Sequence, residues 1–532
     1  MTTDSREGSS RDLARYQFDR RSERKPKGSY RRRGAVTLLL TGYILLAASW
    51  FGANPPGGAS DETAHYIRAA GITRGQLVGG PVVDWEGLTV GQSRLSRSWL
   101  QELSRDVYLP ASLNPPAWHE CYVFRTWKSA TCVADEPAPG AGSRLTYVGV
   151  YQPYSYLLPA LFMRPATNPS QALGLARLGM MCLTMPLLCL ALLVACQGRR
   201  DAWALIGVMT AATPMALSLT AAMTPSGVEI AAALSFFTGL IRMAYGAGRS
   251  CSLQWCAVCA GGFVLSIVRP ASWIWLAVGI VAFLLMAPAV SRVGVIRDRR
   301  LTAALAVLMT GLTLGTSWSL LMDQHFVASP IETVGNVGRA LTSVADMVVQ
   351  EVGVFGWTDS PPWAGLTAAW LAAVVALGTG ALVLGSWRQR TVLLALLAAN
   401  YMAMIGLSAI FLTFFGPAVG RYTLPLGVSV PLYAGEILYQ RRFALFPLIY
   451  RHGPAVISLT VAACQLLAWW WTARRYAVGT AGRWLFPAQP GAWQPVWGWA
   501  PWVAIVIVGA WCTALAALLS RRQLPIPEGT DA

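Results

Sequence analysis

Ser60-Asp61-Glu62-Thr63-Ala64-His65-Tyr66-Ile67-Arg68 stands just beyond the first long apolar run of the chain. If a helix begins here, Asp61, His65 and Arg68 recur at i, i+4 and i+7 and share one face. A carboxylate, an imidazole and a guanidinium then lie side by side. The same residues have a plainer reading. Ser60 is a good N-cap and acids in a first turn suit the helix dipole, so Asp61 and Glu62 could simply start a helix. Where the stretch falls in the whole chain separates the two.

Of 532 residues, 55% are hydrophobic and 13% charged, against about 25% charged in an ordinary soluble domain. The composition reads as an all-α polytopic membrane protein. Apolar runs able to span lie near 34–53, 172–196, 202–222, 227–247, 251–268, 271–290, 301–322, 365–386, 391–413, 423–440, 454–472 and 501–519, about 12 transmembrane helices. Residues 34–520 then form one polytopic membrane domain. A basic tail precedes the first run, which is expected to remain as an anchor rather than be cleaved.

The net charge of +17 is spread in short clusters between apolar runs, as topology signals are, and no nucleic-acid reader motif accompanies it. No nucleic-acid partner is expected. Residues 1–33 hold eleven Lys or Arg against five Asp or Glu with little apolar content. This tail reads as disordered and cytosolic, resting on anionic lipid. Eight of ten cysteines lie in or beside apolar runs, where cysteine behaves as a small hydrophobe. Cys121 and Cys132 instead share the polar loop after the first span, and a disulfide closing that loop is expected if it lies outside the cytosol.

A thirteenth apolar candidate, 151–163, is short and carries Pro153 and Pro159. If it does not cross, Arg199-Arg200, Arg242 with Arg249, Arg292 to Arg300, Arg388 with Arg390, Arg441-Arg442 and Arg521-Arg522 all fall on the cytosolic side with the tail. If it crosses, all of them land outside. The segment therefore reads as a re-entrant helix. Both termini, including the tail 521–532, are then cytosolic, in the plasma membrane. Three extracytoplasmic loops result: 54–171, 323–364 and a tryptophan-rich 472–500. Within the second, Val334, Val337, Leu341, Val344 and Val348 mark an amphipathic helix expected to lie flat at the interface.

Motifs recur in order along most of the chain. Ser60-Asp61-Glu62-Thr63-Ala64-His65 with Arg68 and Gly75-Gln76-Leu77 is followed by Tyr151-Gln152-Pro153-Tyr154-Ser155-Tyr156, Ala176-Arg177-Leu178, Thr213-Pro214-Met215 and Thr224-Pro225-Ser226-Gly227. Arg269-Pro270, Gly356-Trp357-Thr358-Asp359 and Gly420-Arg421-Tyr422-Thr423-Leu424-Pro425 complete the series. In this the chain resembles the bacterial membrane-protein family called domain of unknown function 2142. An acidic pair in a large first outer loop also resembles the GT-C superfamily of membrane glycosyltransferases. Two departures stand out: Ser60 precedes the acidic pair where a proline is common, and Tyr151-Gln152-Pro153 replaces a His-Pro-Pro-like element.

The GT-C resemblance implies a transferase that takes sugar from a polyprenyl-phosphate donor at the outer face and passes it to a cell-envelope glycan or glycolipid. Such a site needs a carboxylate to deprotonate the acceptor and cations to bear the leaving phosphate. Asp61 fits the base, with Glu62 or His65 to orient it. Asp61 and Glu62 are also the candidates for holding a divalent cation, magnesium or manganese. For the donor, Arg421 with Tyr422, then Arg269, Arg68, Tyr151 and Gln152 are the candidates, since guanidinium donates paired charged hydrogen bonds to phosphate. Asp359 reads as a loop cap. The alternative is a transporter or flippase of an envelope precursor, or a non-catalytic membrane scaffold. Few ionisable groups fall in the middle thirds of the spans, which weighs against an ion-coupled carrier. None of the four histidines, His65, His119, His325 and His452, has a neighbouring nucleophile of the Ser-His-Asp kind.

Overall fold

The computed structural model describes residues 28–82, 102–118, 120–135, 139–197, 202–246, 251–322, 329–414 and 416–520. Most of the basic tail, Arg199, Arg200, Arg249, His119, His325 and the tail from 521 lie outside the described residues.

In chain order the elements are α1 (Gly28–Ala53), α2 (Glu62–Thr73), β1 (Arg105–Leu109), β2 (Gly142–Thr146), α3 (Tyr154–Met163), α4 (Pro169–Ala195), α5 (Ala202–Ala211), α6 (Pro214–Thr220) and α7 (Pro225–Ala244). There follow α8 (Ser252–Val268), α9 (Ser272–Met286), α10 (Ala289–Ile296), α11 (Arg300–Leu321), α12 (Pro330–Gly353), α13 (Ala364–Leu384) and α14 (Trp387–Phe414). The chain ends with α15 (Leu424–Gly427), α16 (Ser429–Arg441), α17 (Pro447–Val478) and α18 (Trp499–Leu519).

Among the described residues, eight helices are long and apolar enough to cross a membrane: α1, α4, α7, α11, α13, α14, α17 and α18. A ninth results if α5 and α6, bent by 65°, count as one broken span. The other three expected runs form shorter helices: α8 with 17 residues, α9 with 15, and the run 423–440 divided between α15 and α16. Proline explains several breaks, because it lacks an N–H and is best accommodated in the first turn. Pro214 opens α6 with Thr213 accepting from the Ala216 N–H at 3.1 Å, and Pro225 opens α7 with Thr224 as cap.

Helix ends sort into two layers. At one lie the starts of α2, α4, α7 and α9, joined through Glu62, Arg177, Met223 and Glu229. At the other lie the ends of α4, α9 and α16, where Arg242 reaches the Gln197 carbonyl, Arg388 the Leu285 and Ala287 carbonyls, and Gln389 meets Gln440. Every residue of α7 except Arg242 is buried, so this helix is the axis of the bundle. Small residues let neighbours close in. At the α5–α16 crossing a Cβ on Gly435 would sit 2.6 Å from Gly207 Cα.

Two features depart from the sequence reading. The first loop holds a two-stranded antiparallel sheet, Arg105 opposite Thr146 through Leu109 opposite Gly142. It docks on α2 through the Thr146 hydroxyl, which donates to the Ala64 carbonyl at 2.8 Å. The amphipathic α12 does not lie across the helix ends; it runs antiparallel along α14, with Asn336 on the Ala409 carbonyl, Ser343 on Ser408 and Glu351 beside Asn400. The reason is a ladder of polar side chains on its inward stripe, which finds partners along a helix and none in lipid. Val334, Val337 and Leu341 remain exposed on the other side.

Candidate functional site

The site begins with a backbone choice at Asp61. This residue holds the N-cap position of α2, yet its φ of 61° and ψ of 7° are left-handed and its side chain makes no capping bond. Such a conformation costs a non-glycine residue about 1–2 kcal/mol. The surrounding structure imposes it. Tyr122 donates to the Pro56 carbonyl at 2.7 Å, Trp357 to Gly57 at 3.1 Å and Tyr476 to Gly58 at 2.9 Å, while Ser60 donates to Gly356. Three distant segments thus grip four residues of the turn, the over-determination that lets a strained residue persist.

Freed from capping, the Asp61 carboxylate turns to the Arg421 guanidinium on Oδ2 and accepts from the Tyr147 hydroxyl at 2.7 Å on Oδ1. Burial disfavours its ionised form, but Arg421, His65 and the Tyr147 hydroxyl outweigh it and hold the carboxyl below the usual carboxylate range. Its side chain keeps 23% exposure, whereas that of Arg421 keeps 10%. A cleft lined by Ser60, Ser218, Gln350, Thr358 and Arg421 opens beside the pair.

Arg269, the residue after α8, converges on the same place. Its guanidinium lies 5.5 Å from the Tyr422 ring centre and that of Arg421 5.2 Å from the same ring. Glu229 holds Arg269 at 3.2 Å and is itself held by Ser272 at 2.7 Å and Trp275 at 2.9 Å. The Nε atoms of both arginines are buried without a partner. Two guanidiniums with unused donors around one aromatic ring are equipped for an anion. His65 completes the wall. Its Nδ1 meets the Tyr156 hydroxyl at 2.8 Å, its ring lies 6.2 Å from Tyr151, and burial pushes its pKa down to about 3, with Asp61 opposing and Arg269 and Arg421 reinforcing.

A family model described as a predicted membrane protein family, DUF2142, matches residues 44–430. The chain belongs to this family. The matched DUF2142 segment runs from within α1 to α16 and includes Asp61, His65, Arg269 and Arg421. No curated protein matches. Among solved structures, ArnT from Cupriavidus metallidurans in the apo state is similar at 15% identity and a TM-score of 0.34, over 70% of this chain and 66% of that one. This DUF2142 chain therefore spans about two thirds of that protein's length.

Of the residues singled out in the sequence, Asp61, His65, Arg269, Arg421, Tyr422 and Tyr151 meet at this site, and three do not. Glu62 turns into the protein, where Arg177 holds it on both oxygens at 2.7 and 2.6 Å and the Met223 N–H donates at 3.1 Å. Arg177 also donates to the Asn54 and Pro55 carbonyls, tying the end of α1 to α4. Arg68 turns its terminal nitrogens to the Leu77 and Tyr151 carbonyls, and Gln152 donates to Ser319 at 3.4 Å. The i, i+7 relation between Asp61 and Arg68 fails because Asp61 precedes the helix in a left-handed turn.

The pairing of Asp61 and Glu62 as metal ligands fails for the same reason. One carboxylate is shared by Arg421 and Tyr147, the other by Arg177, and among the described residues no three His, Cys, Asp or Glu side chains gather where they could hold an ion. Asp359 is a structural hub, accepting from Arg475 and the Phe124 N–H at 3.0 Å each. Nearby, Cys121 and Cys132 are joined by a disulfide, their Cα atoms 6.1 Å apart.

Two residues escaped the sequence reading. Tyr147 gave no signal, being one tyrosine in a polar loop. Glu351 gave one: it follows Asn336, Ala340, Ser343 and Met347 at 3 and 4 spacing, a carboxylate on the stripe of α12 that packs on α14.

Proposed function

We propose that this protein is a membrane glycosyltransferase that takes a sugar from a polyprenyl-phosphate donor and passes it to an envelope glycan or glycolipid. The observation that carries this reading is the left-handed Asp61, which gives up a helix cap and faces Arg421 beside a narrow cleft. Asp61, ionised at neutral pH, accepts the proton of the acceptor hydroxyl. The acceptor oxygen attacks the anomeric carbon as the bond to the donor phosphate breaks, so the configuration inverts. The electron pair leaves on the phosphate oxygen, where Arg421 and Arg269 bear the charge. Because Arg421 pairs with Asp61 in the absence of donor, its transfer to the phosphate would raise the basicity of Asp61 as the donor arrives.

The site faces the outer side of the plasma membrane in this reading, with both termini cytosolic. In support, the disulfide suits an oxidising compartment, and Tyr122 next to it reaches the Pro56 carbonyl of the Asp61 turn. The arginine-bearing helix ends occupy the opposite layer. Purified wild-type and Asp61→Ala protein, supplied with polyprenyl-phosphate sugars, test the chemistry: transfer by the wild type that persists undiminished in the variant removes Asp61 as the base. A reporter fused near Cys121 tests the sidedness, and the same compartment as the N-terminus would refute it.

A further inference from the structure

The segment that carries Arg421 is seated on the end of α12 by contacts of several kinds. Thr423 donates to Glu351 Oε1 at 2.9 Å, and the Gly420 N–H donates to Gln350 Oε1 at 2.7 Å. Two glycines admit this seat. A Cβ on Gly420 would stand 2.8 Å from Gln350 Cβ and 2.9 Å from the Glu351 nitrogen, and one on Gly427 would stand 2.9 Å from both Glu351 carboxyl oxygens. Arg421 lies between these points, so its place depends on the Glu351 carboxyl group.

Among the described residues that carboxyl group has no cation beside it. From α14 it meets the Asn400 amide at 3.3 and 3.5 Å, and that helix carries no charged residue beyond Arg390, only Tyr401 as a titratable one. Neither α6 nor α13, both packed on α12, carries a charged residue. Arg421 is turned to Asp61, and Tyr422 lies against Phe411. On α12 itself Asp346 is exposed. Asn400 is buried and its Oδ1 lacks a partner. The partners of the Glu351 carboxyl group are thus one hydroxyl and one amide, both neutral.

We infer that Glu351 works as an uncharged carboxylic acid that holds the Arg421 turn in place, a positioning residue for the phosphate site; this rests on the reading of Arg421 given above. Its carbonyl oxygen, Oε1, accepts from the Thr423 hydroxyl at 2.9 Å and from the Asn400 amide at 3.3 Å. Glu351 is partly buried, and desolvation pushes the group up to about 7 against the pull of Thr423 and Asn400, toward the uncharged form. Ionisation would place a negative charge behind the arginine, in competition with phosphate.

The test uses the full-length protein in lipid nanodiscs, titrated with a short-chain polyprenyl monophosphate at pH 6 and pH 8. Binding is read by native mass spectrometry, with thermal midpoints measured alongside. Glu351→Ala and Gly427→Ala are expected to weaken binding about tenfold, the loss typical of a severed buried hydrogen bond, with midpoints within a few degrees of wild type. Glu351→Gln can accept from Thr423 and from Asn400 without ever carrying a charge, so it restores binding at pH 6 and exceeds wild type several-fold at pH 8. The ratio of the two proteins is the readout because the probe's own ionisation affects both alike. Glu351→Ala with Thr423→Val is expected to bind no worse than Glu351→Ala alone, since both cut one link.

If Arg421→Ala weakens binding while Glu351→Ala and Gly427→Ala do not, this inference is overturned and the phosphate reading stands. If Arg421→Ala binds like wild type, the phosphate reading falls and the inference with it. Should Glu351→Ala fail to fold, the Glu351→Gln ratio and Thr423→Val decide, and a ratio of one at both pH values with unchanged Thr423→Val binding overturns the proposal.

Discussion

Asp61 and Arg421 are joined carboxylate to guanidinium across 360 positions of sequence, one at the start of α2 and the other in the turn before α15. The pair is 23% exposed on one side and 10% on the other, so it is neither a solvated surface bridge nor a sealed core pair. Pairs of this kind can exchange partners when a ligand brings its own charge. From this geometry and its neighbours five expectations follow.

The strain at Asp61 should be separable from its chemistry. Glycine adopts the left-handed conformation freely and alanine does not. Asp61→Gly should therefore be about 1 kcal/mol more stable than Asp61→Ala, while both lose transfer. Equal thermal midpoints would show that the left-handed turn is not under strain.

At Arg421 the fork of the guanidinium, rather than charge alone, should matter. Arg421→Lys is expected to lose about tenfold or more in polyprenyl-phosphate binding, near the loss of Arg421→Ala, because lysine cannot serve Asp61 and a phosphate with paired donors. Wild-type affinity in the lysine variant would reduce Arg421 to a point charge.

Glu62 should behave as structure. Its partner Arg177 is 5% exposed and Glu62 itself fully buried. Glu62→Ala is expected to destabilise the protein by about 3–5 kcal/mol by leaving a buried cation unpaired, and Glu62→Leu with Arg177→Met to recover most of it. Chemical denaturation in detergent measures both; a stable Glu62→Ala protein with lost transfer would return Glu62 to the chemistry.

His65 sets an acid sensitivity. Its folded-state pKa lies at about 3, so the unfolded chain takes up a proton below about 6.5 where the folded one does not. The contribution is complete above that pH and should be lost at about 1.4 kcal/mol per pH unit as pH falls toward the folded value. Thermal midpoints from pH 7 to pH 4 should fall more steeply for wild type than for His65→Gln; parallel curves would mean that His65 is not held neutral.

The disulfide should stabilise the loop that holds Tyr122 and Phe124 against Arg475 and Asp359. Closing a loop between positions 11 apart is worth about 3 kcal/mol. Cys121→Ser with Cys132→Ser should lower the midpoint accordingly, and reductant should then have no further effect. An unchanged midpoint would mean that the loop is held by the Arg475 cluster alone.

Much of the architecture was legible before any coordinates. The apolar runs became helices, and the arginine clusters that are described sit at one layer of helix ends. The candidate site was legible in its residues but not in their grouping. Arg269 and Arg421 were readable as cations between spans, yet their meeting over Tyr422 was not. A lone tyrosine such as Tyr147 has no pattern to betray it.

Membrane residence, helix starts and charge placement were determined by the sequence by itself, because they depend on composition, periodicity and proline chemistry acting over a few residues. Only the tertiary structure decided which of two adjacent carboxylates serves the site. Asp61 and Glu62 are chain neighbours of nearly identical chemistry, but a left-handed turn gripped from Tyr122, Gly356, Trp357 and Tyr476 sends one toward Arg421 and the other toward Arg177. Backbone direction at a single residue is settled by the free energy of all those contacts together, and no local stretch contains them.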